Sequence, residues 1–302
     1  MQQHTLASSF EIIGVGLHSG ETVRMRIRPS APDSGIRFRR VDLDPVVEIP
    51  AHAAFVTDTS LATVLGCGDA VVSTVEHCLA ALRSLGVDNA VVEVDGPEAP
   101  ILDGSSALYV EKILSVGLAA QDEPRRVIHL KKAIRVEQGD KYCVLRPLDR
   151  FAVTYSIDFE QGFPGAQHFF LQVTARSFAE ELSRARTFGF VRDVEYLRSI
   201  GKARGASLEN AVALDGGRVV NPEGLRMHDE MVRHKMLDAV GDLALAGYPI
   251  LGHLVVHKGG HEMHRRLVQT LLDRPDAWEL HPAQRATGRQ VRVAAGLAAA
   301  SF

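Results

Sequence analysis

Met231, Val232, Met236, Leu237, Val240, Leu243 and Ala244 recur at helical spacing. This pattern predicts a helix over 226–247, closed by Gly247 and buried around much of its circumference. A second helix is predicted over 73–86, with Gly86 as its stop. Val23, Met25 and Ile27 alternate with Arg24, Arg26 and Arg28, which predicts a strand with one buried and one wet face. The segment 36–41 repeats the alternation, 90–94 reads as a further strand, and a helix runs through Leu108, Val110, Ile113 and Leu114. Beyond these, strands are predicted at 127–136, 142–146, 151–158 and 169–173, then helices at 177–186 and 192–201. Short strands at 211–214 and 218–220 flank Asp215-Gly-Gly217, and a strand at 250–257 precedes a last helix over 260–272. The tail 285–302 has no strong pattern and reads as loose.

Gln121-Asp-Glu-Pro-Arg-Arg126 is polar, carries a proline and follows a predicted helix, so it marks the boundary between halves 1–124 and 125–302. Each half runs through strands to a helix, a glycine, a strand, a glycine-bearing loop and another helix. The first helix carries Val75-Glu-His77 in one half and Val232-Arg-His234 in the other. The expected fold class is therefore α+β: two similar halves with their helix layers packed face to face, bringing His77 and His234 together.

Composition narrows the function classes. The 302 residues suffice for one large domain or two smaller ones, and 46% hydrophobic with 24% charged residues is ordinary for a globular chain. With 37 acidic against 34 basic residues there is no basic field to favour nucleic acid. Cys67, Cys78 and Cys143 are too scattered for a disulfide scaffold or a cysteine zinc knuckle. No basic region followed by an apolar run opens the chain, and no apolar run reaches the length of a membrane span. The expectation is a cytoplasmic protein without stable membrane insertion.

The candidate chemistry sits on the two principal helices. His234, Asp238 and Asp242 follow one another at four-residue intervals and share a helix face. His234 and Asp238 can reach one divalent ion, and His77 supplies a third ligand if the helices face each other. Glu76, beside His77, is then where a general base is wanted. Each residue has a plainer reading. The helical stripe could be solvated charge, Ser73 and Glu76 are spaced as a capping box, and His77 could be a satisfied half-buried histidine. Lys235 or Thr187 could face developing negative charge, and His261, oriented by Asp242, could protonate a leaving amine. His257 and His264 are rivals to His261 that spacing does not exclude. The turn Ile13-Gly-Val-Gly-Leu-His-Ser-Gly20 holds His18 but is not a dinucleotide fingerprint, because a strand follows it rather than a helix.

Ser73-Thr-Val-Glu-His77, Ser183-Arg-Ala-Arg-Thr-Phe-Gly-Phe190, Val232-Arg-His-Lys-Met-Leu-Asp-Ala-Val-Gly-Asp-Leu243 and Lys258-Gly-Gly-His261 occur in this order. Together they resemble the UDP-3-O-acyl-N-acetylglucosamine deacetylases, zinc enzymes of the committed step of lipid A synthesis in Gram-negative bacteria. The resemblance extends from Gly14-Val-Gly-Leu-His18 to about Leu272. It implies one catalytic zinc ion on His77, His234 and Asp238, although this donor set suits ferrous iron too. It further implies Glu76 as general base, His261 as general acid or oxyanion stabiliser oriented by Asp242, and Thr187 as a hydrogen-bond donor to the oxyanion. Lys235 and Phe188 would help hold the substrate, a UDP-sugar lipid, and Phe159 would stack on its uridine. His18 falls among the substrate-facing residues and resembles a histidine that can take an inhibitory second zinc. The family fold is two βααβ-type sandwich halves, each with an insert. The segment 192–220 matches the insert that forms an acyl tunnel, with Val194, Leu197, Ala203, Leu208, Ala211 and Ala213 as lining candidates. A monomer is expected. The alternatives are a zinc deacetylase of a different amide and a non-catalytic UDP-sugar or lipid-binding module; the latter has no need of Glu76.

Overall fold

In the computed structural model, which describes residues 1–159 and 163–283, the arginine-alternating segment is a strand, Thr22–Pro29. Its Val23, Met25 and Ile27 are wholly buried, while Arg24, Arg26 and Arg28 are exposed. It lies in a five-stranded sheet ordered Phe10–Val15, Thr22–Pro29, Ala90–Val94, Ile36–Arg40, Val47–Pro50. A seven-stranded sheet is built around Ile250–His257, which pairs antiparallel with Lys141–Arg146 and parallel with Phe151–Asp158. The chain is α+β, as its patterns predict. The predicted tail lies outside the described residues. Among the described residues, no helix is long and apolar enough to cross a membrane.

Two helices carry the candidate site residues. Helix α1 (Glu76–Ser84) packs against the later helix α5 (Glu230–Leu243). They approach closely at Gly241, where a Cβ would run into the carbonyl oxygen of Glu76. Every residue of α5 except Arg233 and Lys235 is buried, which explains apolar positions on more than one face of the helix. The helix is shorter than the predicted 226–247. At its start Glu230, wholly buried, accepts hydrogen bonds from the backbone N–H groups of Arg226 and Arg186. At its end a 3-10 turn, Ala244–Ala246, leads to Gly247 at φ +83°, a conformation that suits glycine.

Several local expectations are corrected. Ser73 and Glu76 form no capping box: α1 begins at Glu76 without a side-chain cap, and the Glu76 carboxylate instead accepts the Thr63 N–H at 3.1 Å. The polar stretch after α2 (Ala107–Val116), where the boundary between halves is expected, is occupied by strands. Leu118–Pro124 is a strand paired with Gln2–Leu6, and the strand Arg126–Leu130 follows at once. The predicted helix 177–186 is only one helical turn, α3 (Ala175–Ser177), running into a π-helical turn over Phe178–Leu182. Beyond it Phe188–Phe190, Val212–Asp215 and Arg218–Val219 form a small sheet, against which α4 (Val191–Ser199) packs. The last helix, α6 (His261–Leu272), packs against α5 and starts at the candidate acid.

Candidate metal and catalytic site

His77 is the second residue of α1, and His234 and Asp238 lie one turn apart on α5. The packing of the two helices brings one donor atom from each within 4.8 Å of the others, all three residues being buried. Asp238 Oδ1 stands 3.3 Å from His234 Nε2 and 3.6 Å from His77 Nε2. The His234 Nδ1–H donates to the Ala185 carbonyl at 3.0 Å, so the lone pair is on Nε2, facing the cluster. Burial pushes the His234 imidazole down to about 4, keeping it in the neutral, metal-binding form. Burial alone would raise the Asp238 carboxyl, but His234 and Lys235 beside it hold it well below the usual carboxylate range. Its Oδ2 accepts from Lys235 Nζ at 2.8 Å, whereas Oδ1 is buried with no hydrogen-bond partner. An orphaned carboxylate oxygen facing two imidazole nitrogens is costly unless a cation takes it up, so the donor set fits a divalent ion.

Around this cluster stand groups that can handle protons. Glu76 is 3% exposed, and burial raises its carboxyl above the ordinary value. Its Oε1 lies 3.7 Å from His261 Nε2. His261 donates through Nδ1 to Asp242 Oδ2 at 2.8 Å. Burial works against the imidazolium, but Asp242 and Glu76 outweigh it and raise His261 to about 9. Burial likewise opposes ionisation of Asp242, which His261 and His264 nevertheless keep below the usual carboxylate range. Of the rival histidines, His264 is wholly buried behind Asp242 and bonds the same Oδ2 at 2.8 Å. His257 is stacked on Tyr142 with ring centroids 5.4 Å apart. Neither lines the cavity at the cluster; His261 does.

That cavity has a volume of about 240 Å³ and is also lined by Thr187, Phe188, Phe159, Lys235 and His18. Thr187 is held from both sides of its backbone: its N–H donates to Gly104 at 2.8 Å, and its carbonyl accepts from Val212 at 2.8 Å. The Phe159 ring stands edge-on to Phe188 and Phe190, with centroids 5.9 and 5.6 Å away. The His18 imidazole is pushed below its usual value by burial, and its Nε2 is shut away without a hydrogen-bond partner. The six insert residues are placed differently. Val194, Leu197, Ala211 and Ala213 are half-buried, Ala203 is buried and Leu208 is exposed, and none lines this cavity. Thr63, at the end of a polar run, is a neighbour of the site with no signature in the sequence, and His264, weighed there only as a rival to His261, bonds Asp242 instead. A larger cavity, about 850 Å³, has His129 and His281 in its wall but none of these groups.

A buried pair of imidazoles and a carboxylate, with an acidic residue and an Asp-oriented histidine beside them, is a donor set suited to a metal-dependent hydrolase. The model of the family described as "LpxC: UDP-3-O-acyl N-acetylglycosamine deacetylase" matches residues 3–273, and the chain belongs to this family. It is therefore an enzyme, a hydrolytic deacetylase. The UDP-3-O-acyl-N-acetylglucosamine deacetylase of Myxococcus xanthus is 48% identical, over 94% of this chain and 90% of the relative. Those of Shewanella violacea and Histophilus somni are 48% and 45% identical, each over 92% of both chains.

Proposed function

We propose that the chain removes the N-acetyl group from UDP-3-O-(3-hydroxyacyl)-N-acetylglucosamine, giving acetate and the free 2-amine, in the committed step of lipid A synthesis. The observation that carries this reading is the placement of Glu76 and His261 on one cavity with His77, His234 and Asp238. His77, His234 and Asp238 would hold one zinc ion, with ferrous iron as the rival occupant. Such an ion supplies Lewis acidity, polarising the acetamide carbonyl and acidifying a water beside it.

Glu76 takes a proton from the water as its oxygen bonds to the acetyl carbon. The carbonyl oxygen becomes negative, and Thr187 and Lys235, both on the cavity wall, are the groups available to receive that charge. His261 gives its Nε2 proton to the nitrogen as the C–N bond breaks, so the amine leaves neutral. Asp242 keeps Nδ1–H pinned, which leaves Nε2 as the nitrogen that delivers the proton. The spare proton on Glu76 can return to His261, 3.7 Å away, and resets the pair.

Phe159 and Phe188 supply flat apolar surface for the uridine and sugar, and His18 faces the substrate from the first half. The insert 192–220 is assigned to the acyl chain through Val194, Leu197, Ala203, Leu208, Ala211 and Ala213. The two halves, 1–124 and 125–302, are read as βααβ-type units with inserts, meeting through α1 and α5; the enzyme is read as a cytoplasmic monomer. The test is acetate release from the acylated UDP-sugar, requiring metal and absent in Glu76→Ala. Equal release from unrelated acetamides would reassign the substrate, and binding without release would leave only a binding module.

A further inference from the structure

We propose that Thr63 is a positioning residue that ties the two proton-handling arms of the site together. It rests on the reading of Glu76 as base and His261 as acid, and goes beyond that reading by assigning a role to a residue outside both arms. Thr63 is 2% exposed and sits between the strands Val56–Asp58 and Val64–Cys67. Its backbone N–H donates to Glu76 Oε2 at 3.1 Å. Its hydroxyl donates to Asp242 Oδ1 at 2.5 Å and lies 3.3 Å from His261 Nδ1. A single residue of the first half thus touches the base, the acid and the carboxylate that orients the acid. Those last two come from α6 and α5 of the second half.

The hydroxyl carries the specific part of the argument. Asp242 is 1% exposed, and its Oδ2 already accepts from His261 and from His264, each at 2.8 Å. Oδ1 accepts the Thr63 hydroxyl and, among the described residues, no other donor. With both oxygens engaged the carboxylate plane cannot turn about its last bond, so the His261 ring is fixed in direction as well as distance. Without the hydroxyl, Oδ1 is a buried acceptor with no partner, and Asp242 gains by rotating or admitting water. His261 Nε2 would then swing relative to Glu76, and misplacement on the scale of 1 Å costs catalysis heavily. The backbone N–H bond to Glu76 survives any side-chain change, so substitution separates the two contacts.

The experiment compares Thr63→Val, which keeps the shape and loses the hydroxyl, with Thr63→Ser, which keeps the hydroxyl. Both are assayed as metal-loaded enzyme on the acylated UDP-sugar, with metal content and melting temperature measured. The expected result for Thr63→Val is a loss in kcat of roughly ten- to a hundredfold with KM and metal content little changed. Thr63→Ser should recover most of that loss. Thr63→Ala removes the hydroxyl without placing a methyl against Asp242, and takes the place of Thr63→Val if the valine variant does not fold. In an Asp242→Asn background, removing the hydroxyl should cost little more, because the two act through one histidine. Unchanged kcat in Thr63→Val, equal damage in Thr63→Ser, or full additivity with Asp242→Asn would each overturn the proposal. Glu76→Gln separates the two levels of inference. If it is inactive while Thr63→Val is normal, only the role of Thr63 falls; if it is fully active, the reading of the site falls and Thr63 with it.

Discussion

Lys235 Nζ lies 2.8 Å from Asp238 Oδ2, while the other oxygen of the same carboxylate is buried without a hydrogen-bond partner. Against burial, His234 and this ammonium hold Asp238 ionised, and its Oδ1 faces His77 and His234.

The first expectation follows from this arrangement. His77→Ala removes one of the three proposed ligands and should lose most of the bound metal, with activity falling in proportion to metal content. Elemental analysis of the purified variant checks it, and full occupancy with full turnover would refute a metal site shared between α1 and α5. The same analysis on anaerobically purified wild type distinguishes zinc from iron.

Glu76→Gln keeps the shape of the side chain and its bond from Thr63, but cannot accept a proton. Turnover should fall by roughly two or more orders of magnitude, while metal content and substrate affinity hold. Equilibrium binding of the UDP-sugar to the variant provides the second readout, and a parallel loss of binding would assign Glu76 to the substrate rather than to the water.

Activity should depend on pH as a bell. Glu76 must be ionised, and burial raises its pKa, so activity is lost as pH falls through a value above that of an ordinary carboxylate. As the proposed acid His261 has to be protonated, and Asp242 and Glu76 raise it, against burial, to about 9, so activity should be lost as pH rises through its pKa. A bound cation pushes that alkaline limb to lower pH. Asp242→Asn removes the principal group favouring the imidazolium and should move the limb further down, while His261→Ala should flatten it. An alkaline limb unmoved by His261→Ala would dismiss this histidine as the acid.

Gly241 faces the backbone of α1 at Glu76, where there is no room for a methyl group. Gly241→Ala should push the helices apart, costing about 1–3 kcal/mol as overpacking does. Because the displaced atoms belong to Glu76, the proposed base, turnover should fall by more than stability alone explains. Thermal melting together with kcat on the folded fraction tests this, and an alanine variant with normal values in both would mean that the helices do not approach so closely.

Selectivity for the acyl chain has to come from contacts remote from the cluster, since any acetamide offers the same carbonyl. A buried methylene is worth about 0.8 kcal/mol, so six amount to roughly 5 kcal/mol before ordering costs. UDP-N-acetylglucosamine lacking the chain should therefore be a very poor substrate. Ala213→Trp in the insert should impair long chains and spare short ones, as read from kcat/KM against chain length. Parallel curves for the two proteins would place the acyl site elsewhere.

Periodicity in the sequence was enough to determine the elements that bear the site. The apolar repeat from Met231 to Ala244 specifies α5, because 3.6-residue spacing is a local property. The four-residue steps from His234 to Asp242 place three polar groups on one face for the same reason. The alternation of Val23, Met25 and Ile27 with arginines likewise specifies a strand and its buried side. The tertiary structure decided the rest, because it depends on contacts between residues far apart in the chain. Ser73 and Glu76 have the spacing of a capping box, yet Glu76 is drawn into the site by Thr63 and α5. His257, His261 and His264 are equivalent as letters, and only the docking of α6 on α5 leaves His261 facing the cavity, with His264 behind Asp242. Thr63 contacts Asp242 across 179 positions of sequence, a separation at which no local pattern constrains either residue.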